Sequence, residues 1–284
     1  RYLFAALVGS LLYLLGMALL YGAHGTVALS LLAQLVTAAP HAWFALALMA
    51  VGLMLKTALF PLHFWLPPAH GGAATPVSAL LSALVIKGSF YLLLRLWLDV
   101  FGAVTTQAAG QALGALGAAA ILWGSIAALR ETRLKMLVAY STVAQIGYLF
   151  LVFPLLHDEQ AATNAVGGGV FQALSHAFAK SAMFLAAGNV VLSTQQEHVD
   201  GLNGVSAHTP LTLYAFGIAG VDVTGDDSLP FFERASHFRI ELDDLPRALD
   251  ASFGGGHVTL DAYTDAARQT RDALAALFFM EMGW

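Results

Sequence analysis

Leu53-Met-Leu-Lys56-Thr-Ala-Leu-Phe-Pro61-Leu-His63-Phe-Trp65-Leu-Pro67-Pro68-Ala-His70-Gly-Gly72 decides how this chain folds. The stretch starts inside an apolar run at roughly 42–66, sets one lysine in that run, and follows it with a proline that cannot continue a helical hydrogen-bond ladder. A helix that breaks just after a buried cation is expected. In hydrocarbon such a break survives only where protein or a water-filled cavity satisfies the freed backbone groups, so lysine and break together point to an ion site. An ordinary proline kink ending a helix, with Trp65 as an interfacial anchor, is the plainer alternative.

Two more lysines sit at comparable depth, Lys87 within 76–98 and Lys180 within 163–192. A cation at the bilayer centre costs about 2.5–3.5 kcal/mol on insertion scales, so three of them imply use, with a path for ions or protons as the default hypothesis. The 284 residues are 58% hydrophobic and 11% charged, with a mean hydropathy of +0.71, which excludes an ordinary soluble domain. Spanning hydrocarbon takes about 20 apolar residues. Six segments meet that requirement, roughly 2–21, 42–66, 76–98, 109–129, 136–154 and 163–192. A seventh, 209–221, has 13 residues and is too short to cross alone. The expected fold is therefore all-α, a polytopic transmembrane helix bundle with one proline-broken helix. Arg130, Arg133 and Lys135 place their loop on the cytoplasmic side by the positive-inside rule, which puts His157-Asp158-Glu159 outside and Arg1 and the 193–208 loop inside.

Charge divides the chain near Val221. Residues 1–220 carry 8 Lys+Arg and 6 Asp+Glu, whereas 221–284 carry 5 and 12, which together give the overall net charge of −5. Residues 1–221 are thus expected to form the membrane bundle and 222–284 a short acidic soluble C-terminal tail, with turn signals at Asp226-Asp227, Leu229-Pro230 and Gly254-Gly255-Gly256. Arg1 directly precedes an apolar run, as in the interior of a longer protein.

Within the spans, polar residues mark an axis. Lys87 has Ser78, Ser82 and Ser89 nearby, while Gln172, His176 and Lys180 recur at i, i+4 and i+8 and share one helix face. Histidine titrates near neutral pH and is a natural partner for a lysine one turn away. Arg95, close to a span end, reads as a snorkelling side chain. Tyr140, Ser141, Thr142, Gln145 and Tyr148 read as polar glue between helices, with water binding as the alternative. Other chemistries find no support. No nucleotide-binding glycine motif or H-E-x-x-H occurs, His63 and His70 stand seven apart with no third ligand, and no basic patch suggests nucleic acid. With no cysteine, iron–sulfur ligation is excluded, and no cofactor is expected.

Four motifs carry a resemblance. Lys56-Thr-Ala-Leu-Phe-Pro-Leu-His-Phe-Trp-Leu-Pro, Thr75-Pro-Val-Ser-Ala-Leu-Leu with Lys87 downstream, Leu134-Lys-Met-Leu-Val-Ala-Tyr-Ser-Thr-Val-Ala-Gln-Ile-Gly-Tyr148, and Ser175-His-Ala-Phe-Ala-Lys-Ser-Ala-Met-Phe-Leu occur in order. Over about residues 1–220 the chain resembles the proton-translocating antiporter-like subunits of respiratory complex I, Mrp-type sodium/proton antiporters and related hydrogenases. The resemblance implies that Lys56 is the lysine beside the broken helix, Lys87 the mid-membrane lysine of the next helix, and His176 with Lys180 the relay toward an exit. It implies partner subunits that hold any flavin, iron–sulfur centres and quinone, a lipid surround, and protons or Na⁺ as the transported ion. A bacterial inner membrane is the implied location. Ser82, where some quinone-reductase members carry histidine, leans toward the Mrp branch or its complex I counterparts.

Two departures set limits on that expectation. The glutamate that the family pairs with the first lysine has no counterpart, since residues 1–98 contain no acid, and the second broken helix with its lysine is not found after Val221. The 284 residues alone are therefore not expected to transport. A non-transporting membrane scaffold is the alternative from a different class.

Overall fold

The computed structural model describes residues 1–202 and, beyond them, 209, 212, 215 and 216. The expected acidic tail lies outside the described residues. Helices α1 (Tyr2–His24), α3 (Pro40–Thr57), α7 (Gln107–Arg130), α8 (Leu134–Phe150) and α9 (Glu159–Thr194) are five of six membrane-length elements. The sixth runs Thr75–Val100 as α5 (Thr75–Leu80), a π-helical turn (Leu81–Val85), α6 (Ile86–Arg95) and a second π-helical turn (Leu96–Val100). No strand occurs among the described residues. The fold is an all-helical polytopic bundle, as the apolar segments require. A short helix α2 (Leu29–Leu35), below spanning length, seats Leu32 in the core against the second π-helical turn.

Helices approach closely where glycine leaves room. A Cβ built on Gly9 would stand 2.9 Å from the Gly52 carbonyl oxygen, so α1 and α3 nearly touch backbone to backbone. Gly117 and Gly147 do the same for α7 and α8, and Gly188 of α9 faces Thr75 at the start of α5. Lipid tails are as apolar as leucine and give helices no hydrophobic reason to associate, so such small-residue contacts supply packing that larger side chains would block. An aromatic cluster fills one end of the core: Phe90 lies 5.7 Å from Phe150, and Phe153 lies 5.3 Å from Phe150 and 5.2 Å from Trp97, centroid to centroid.

The break falls where the proline predicts. Helix α3 ends at Thr57, Ala58 adopts a left-handed conformation, the Phe60–Pro61 peptide is cis, and the chain resumes as a 3₁₀ turn (Leu62–Trp65) and α4 (Leu66–Gly72). Two of the carbonyls freed at the end of α3, those of Met54 and Leu55, are claimed by protein, and Thr57 ties its own side chain back to the last turn. Thr57 Oγ1 donates to Leu53 O at 2.7 Å, Leu59 N to Met54 O at 3.1 Å, and the Trp65 indole Nε1 to Leu55 O at 2.8 Å. Trp65 is only 2% exposed, so it is a buried cap on the broken helix and not the interfacial anchor offered by the plainer alternative.

Two loops on the same side are clasped. Leu134 N donates to Glu197 O at 2.9 Å, Val199 N donates to Thr132 O at 2.8 Å, and Arg133 pairs with Glu197 at 2.8 Å. The α7–α8 loop and the chain following α9 therefore share one face of the bundle. That agrees with the expectation that these two loops lie on one side of the membrane.

Candidate functional site

Lysine placement follows from the two irregular elements. Lys56 is the penultimate residue of α3, near the carbonyl end whose partial negative charge suits a cation. It is half-buried and lines an open cleft of about 360 Å³ with Tyr13, Leu53, Leu84, Val85, Gly88 and Ser89. The two ion pairs among the described residues are Arg95–Asp99 and Arg133–Glu197, so no described carboxylate pairs with Lys56. Its cleft flanks the turn that carries Lys87.

Lys87 opens α6 directly after the first π-helical turn. That turn widens the ladder from i→i+4 to i→i+5, and the Lys87 ammonium donates to the carbonyl of Ser82, five residues back. Lys87 is 8% exposed, and the Ser82 hydroxyl beside it is buried without a hydrogen-bond partner among the described residues. His176, on α9, is fully buried and lies within electrostatic reach of both Lys87 and Lys180. Neither of its ring nitrogens has a hydrogen-bond partner among the described residues. Lys180, one turn further and 6% exposed, donates to Ser141 Oγ on α8 at 2.8 Å and approaches Met183 Sδ at 3.5 Å.

Lys87, His176 and Lys180 thus form one buried group, while Lys56 lines a cleft with residues on either side of Lys87 in the chain. Gln172, the third member of the expected α9 stripe, donates to Gln145 at 2.8 Å and acts as glue between α8 and α9. Ser141, expected as glue, does join the same two helices, and it does so by accepting from Lys180. Arg95 is exposed and pairs with Asp99 and Tyr91, as a residue near a span end should.

His70 escaped selection as a site residue. On α4, just after the break, it is fully buried, stacks on Phe184 of α9 at 4.4 Å, and lies within electrostatic reach of Lys87 and Lys135. Lys135 in turn donates to Ala73 O, at the end of α4, at 3.2 Å. Among the described residues no three histidine or acidic side chains gather closely enough to hold a metal ion.

Residues 1–240 match the family described as NADH:quinone oxidoreductase/Mrp antiporter, TM. The chain belongs to that family. Among curated relatives it is 36% identical over 244 residues to NADH-quinone oxidoreductase subunit N of Desulforudis audaxviator, covering 82% of this chain and 47% of the relative. It is 32% identical over 242 residues to F(420)H(2) dehydrogenase subunit N of Methanosarcina mazei, covering 79% of this chain and 48% of the relative. Among solved structures, the Mrp complex from Dietzia sp. DQ12-45-1b matches with a TM-score of 0.69 and 29% identity, over 77% of this chain and 40% of the matched one. The chain spans about half the length of the curated relatives it matches. The match to residue 240 extends past Val221, where the charge shift suggested that the family pattern ends.

Proposed function

We propose that this chain belongs to a proton-translocating membrane subunit, with Lys56, Lys87, His176 and Lys180 as its relay, in a complex of the NADH:quinone oxidoreductase or Mrp type. The observation that carries this reading is His176, which is fully buried within electrostatic reach of two lysines with neither ring nitrogen committed to a hydrogen bond among the described residues. A neutral imidazole passes a proton by accepting on one nitrogen and releasing from the other, so both must be available. Lys87 would exchange protons with the Lys56 cleft on one side and with His176 on the other. Lys180 would accept them for onward transfer, steadied by Ser141.

Charge couples the steps. Two ammonium groups either side of one buried imidazole repel strongly at low dielectric, so protonating one lysine alters the tendency of the other to hold its proton. The partners would be other membrane subunits of the complex, and lipid would cover the outer apolar faces. Protons or Na⁺ would be the cargo, and a bacterial inner membrane the location.

The test is flux through the full-length subunit in its complex, reconstituted in liposomes with an internal pH-sensitive dye. Lys87→Ala, Lys180→Ala and His176→Gln should each suppress proton uptake while leaving insertion and assembly intact. Full pumping by His176→Gln, which keeps hydrogen bonding but cannot titrate, would refute the relay.

A further inference from the structure

The two histidines at the opposite face belong to no part of the relay. His24 lies in the last turn of α1 and His41 in the first turn of α3, so the close-packed α1–α3 pair brings them together at its far end from Lys56. Their ring centroids are 5.5 Å apart at an interplanar angle of 60°. In both, Nε2 is buried and has no hydrogen-bond partner among the described residues.

We propose that His24 and His41 form a two-histidine site for a divalent transition cation of the zinc, cobalt and nickel class, on the face opposite the clasped loops. Neutral imidazole is the commonest ligand of such ions, and a buried Nε2 with no hydrogen-bond partner is open to a metal when the ring proton sits on Nδ1. The spacing fits. A tetrahedral ion about 2.0–2.1 Å from each Nε2 sets the two ring centroids about 5.2 Å apart, within a few tenths of an ångström of the spacing present. The helix ends that carry the two rings are set by the local backbone. Gly25 ends α1 in a left-handed conformation just after His24, Pro40 starts α3 just before His41, and Gly16 packs against Met49 between them.

Several features set the character of the site. Both rings are half-buried at the helix ends while their Nε2 atoms are enclosed, so an ion is taken up when the rings turn outward, with no need for the helices to separate. No lysine or arginine occurs between Arg1 and Lys56 to repel it within these two helices. With no third histidine or acidic ligand gathered among the described residues, water fills the remaining positions and binding is reversible. An occupied site would join the ends of α1 and α3, the helix that carries Lys56.

The test is titration of the purified, tag-free protein in detergent with Co²⁺, followed by the visible absorption of tetrahedral cobalt and by displacement with Zn²⁺. One reversibly bound equivalent is expected, with affinity reduced at least about tenfold by His24→Asn or His41→Gln and unchanged by His157→Ala. The polar replacements keep the size and hydrogen bonding of the ring positions, and helical circular dichroism confirms that each variant is folded. Unchanged Co²⁺ binding in folded His41→Gln, or loss of binding in His157→Ala alone, would overturn the assignment.

Discussion

Gly52→Ala tests whether close backbone approach holds the Lys56 helix in place. An alanine Cβ at this position would stand 2.6 Å from the Gly9 carbonyl oxygen, 3.0 Å from Tyr13 N and 3.2 Å from Leu12 Cβ. Carbon contacts settle at about 3.5–4.0 Å, so α1 must withdraw by roughly 0.5–1 Å. The two closest atoms are backbone and cannot swing aside. Overpacking of this kind costs about 1–3 kcal/mol, roughly five- to 150-fold in the folding equilibrium. The shift also reaches the site, because Lys56 lies one turn beyond Gly52 and its side chain packs over Gly9. Gly88→Ala is the matched control: it adds the same methyl inside the Lys56 cleft, where a Cβ would meet nothing within 4 Å. The assay is helical circular dichroism as the SDS fraction in mixed micelles rises. Gly52→Ala should unfold at a lower SDS fraction and Gly88→Ala should not. Equal midpoints for Gly52→Ala and the parent protein would show that the helices separate freely and that the glycine contact holds nothing.

Trp65→Phe removes the indole donor from Leu55 O and should lower stability by about 0.5–1.5 kcal/mol in the same micelle titration. Ser141→Ala takes away the oxygen that receives the Lys180 ammonium and should reduce proton flux at a stability loss of about 1–3 kcal/mol, whereas Ser141→Thr keeps the hydroxyl and should retain both, as liposome and unfolding measurements would reveal. Arg95→Ala, which breaks only exposed contacts with Asp99 and Tyr91, should pump at the parent rate in the dye assay.

Features that are rare in membrane sequence could be read directly. A lysine inside an apolar run has few innocent explanations, and Lys56, Lys87 and Lys180 stand out for that reason before any contact is known. Pro61 likewise fixed the end of α3, because a missing N–H and a clashing ring act through the chain's own backbone. Contacts between distant segments were not legible. His70 is buried only because α4 folds back against Phe184, 114 positions away, and Ser141 meets Lys180 only through the packing of α8 on α9. The π-helical turn at Leu81–Val85 contains neither glycine nor proline, so nothing in its composition announces the extra residue that exposes the Ser82 carbonyl. Trp65 shows how the same side chain supports opposite assignments, since an amphipathic ring suits an interface or a buried acceptor equally well, and only the position of the Leu55 carbonyl decides.

The clasp between Thr132–Leu134 and Glu197–Val199 also bears on the order in which the chain assembles. It joins positions 66 residues apart, Thr132 and His198, whose side-chain atoms stand 3.3 Å from each other. Between them the chain crosses the bilayer as α8 and returns as α9. Until that return crossing is complete, the two halves of the clasp lie on opposite sides of the membrane and cannot meet. Its formation therefore comes after insertion of the α8–α9 hairpin during synthesis. A nascent chain halted before Glu197 lacks the clasp altogether, and one released beyond it acquires a loop closed by hydrogen bonds that resists withdrawal of either helix from the bilayer.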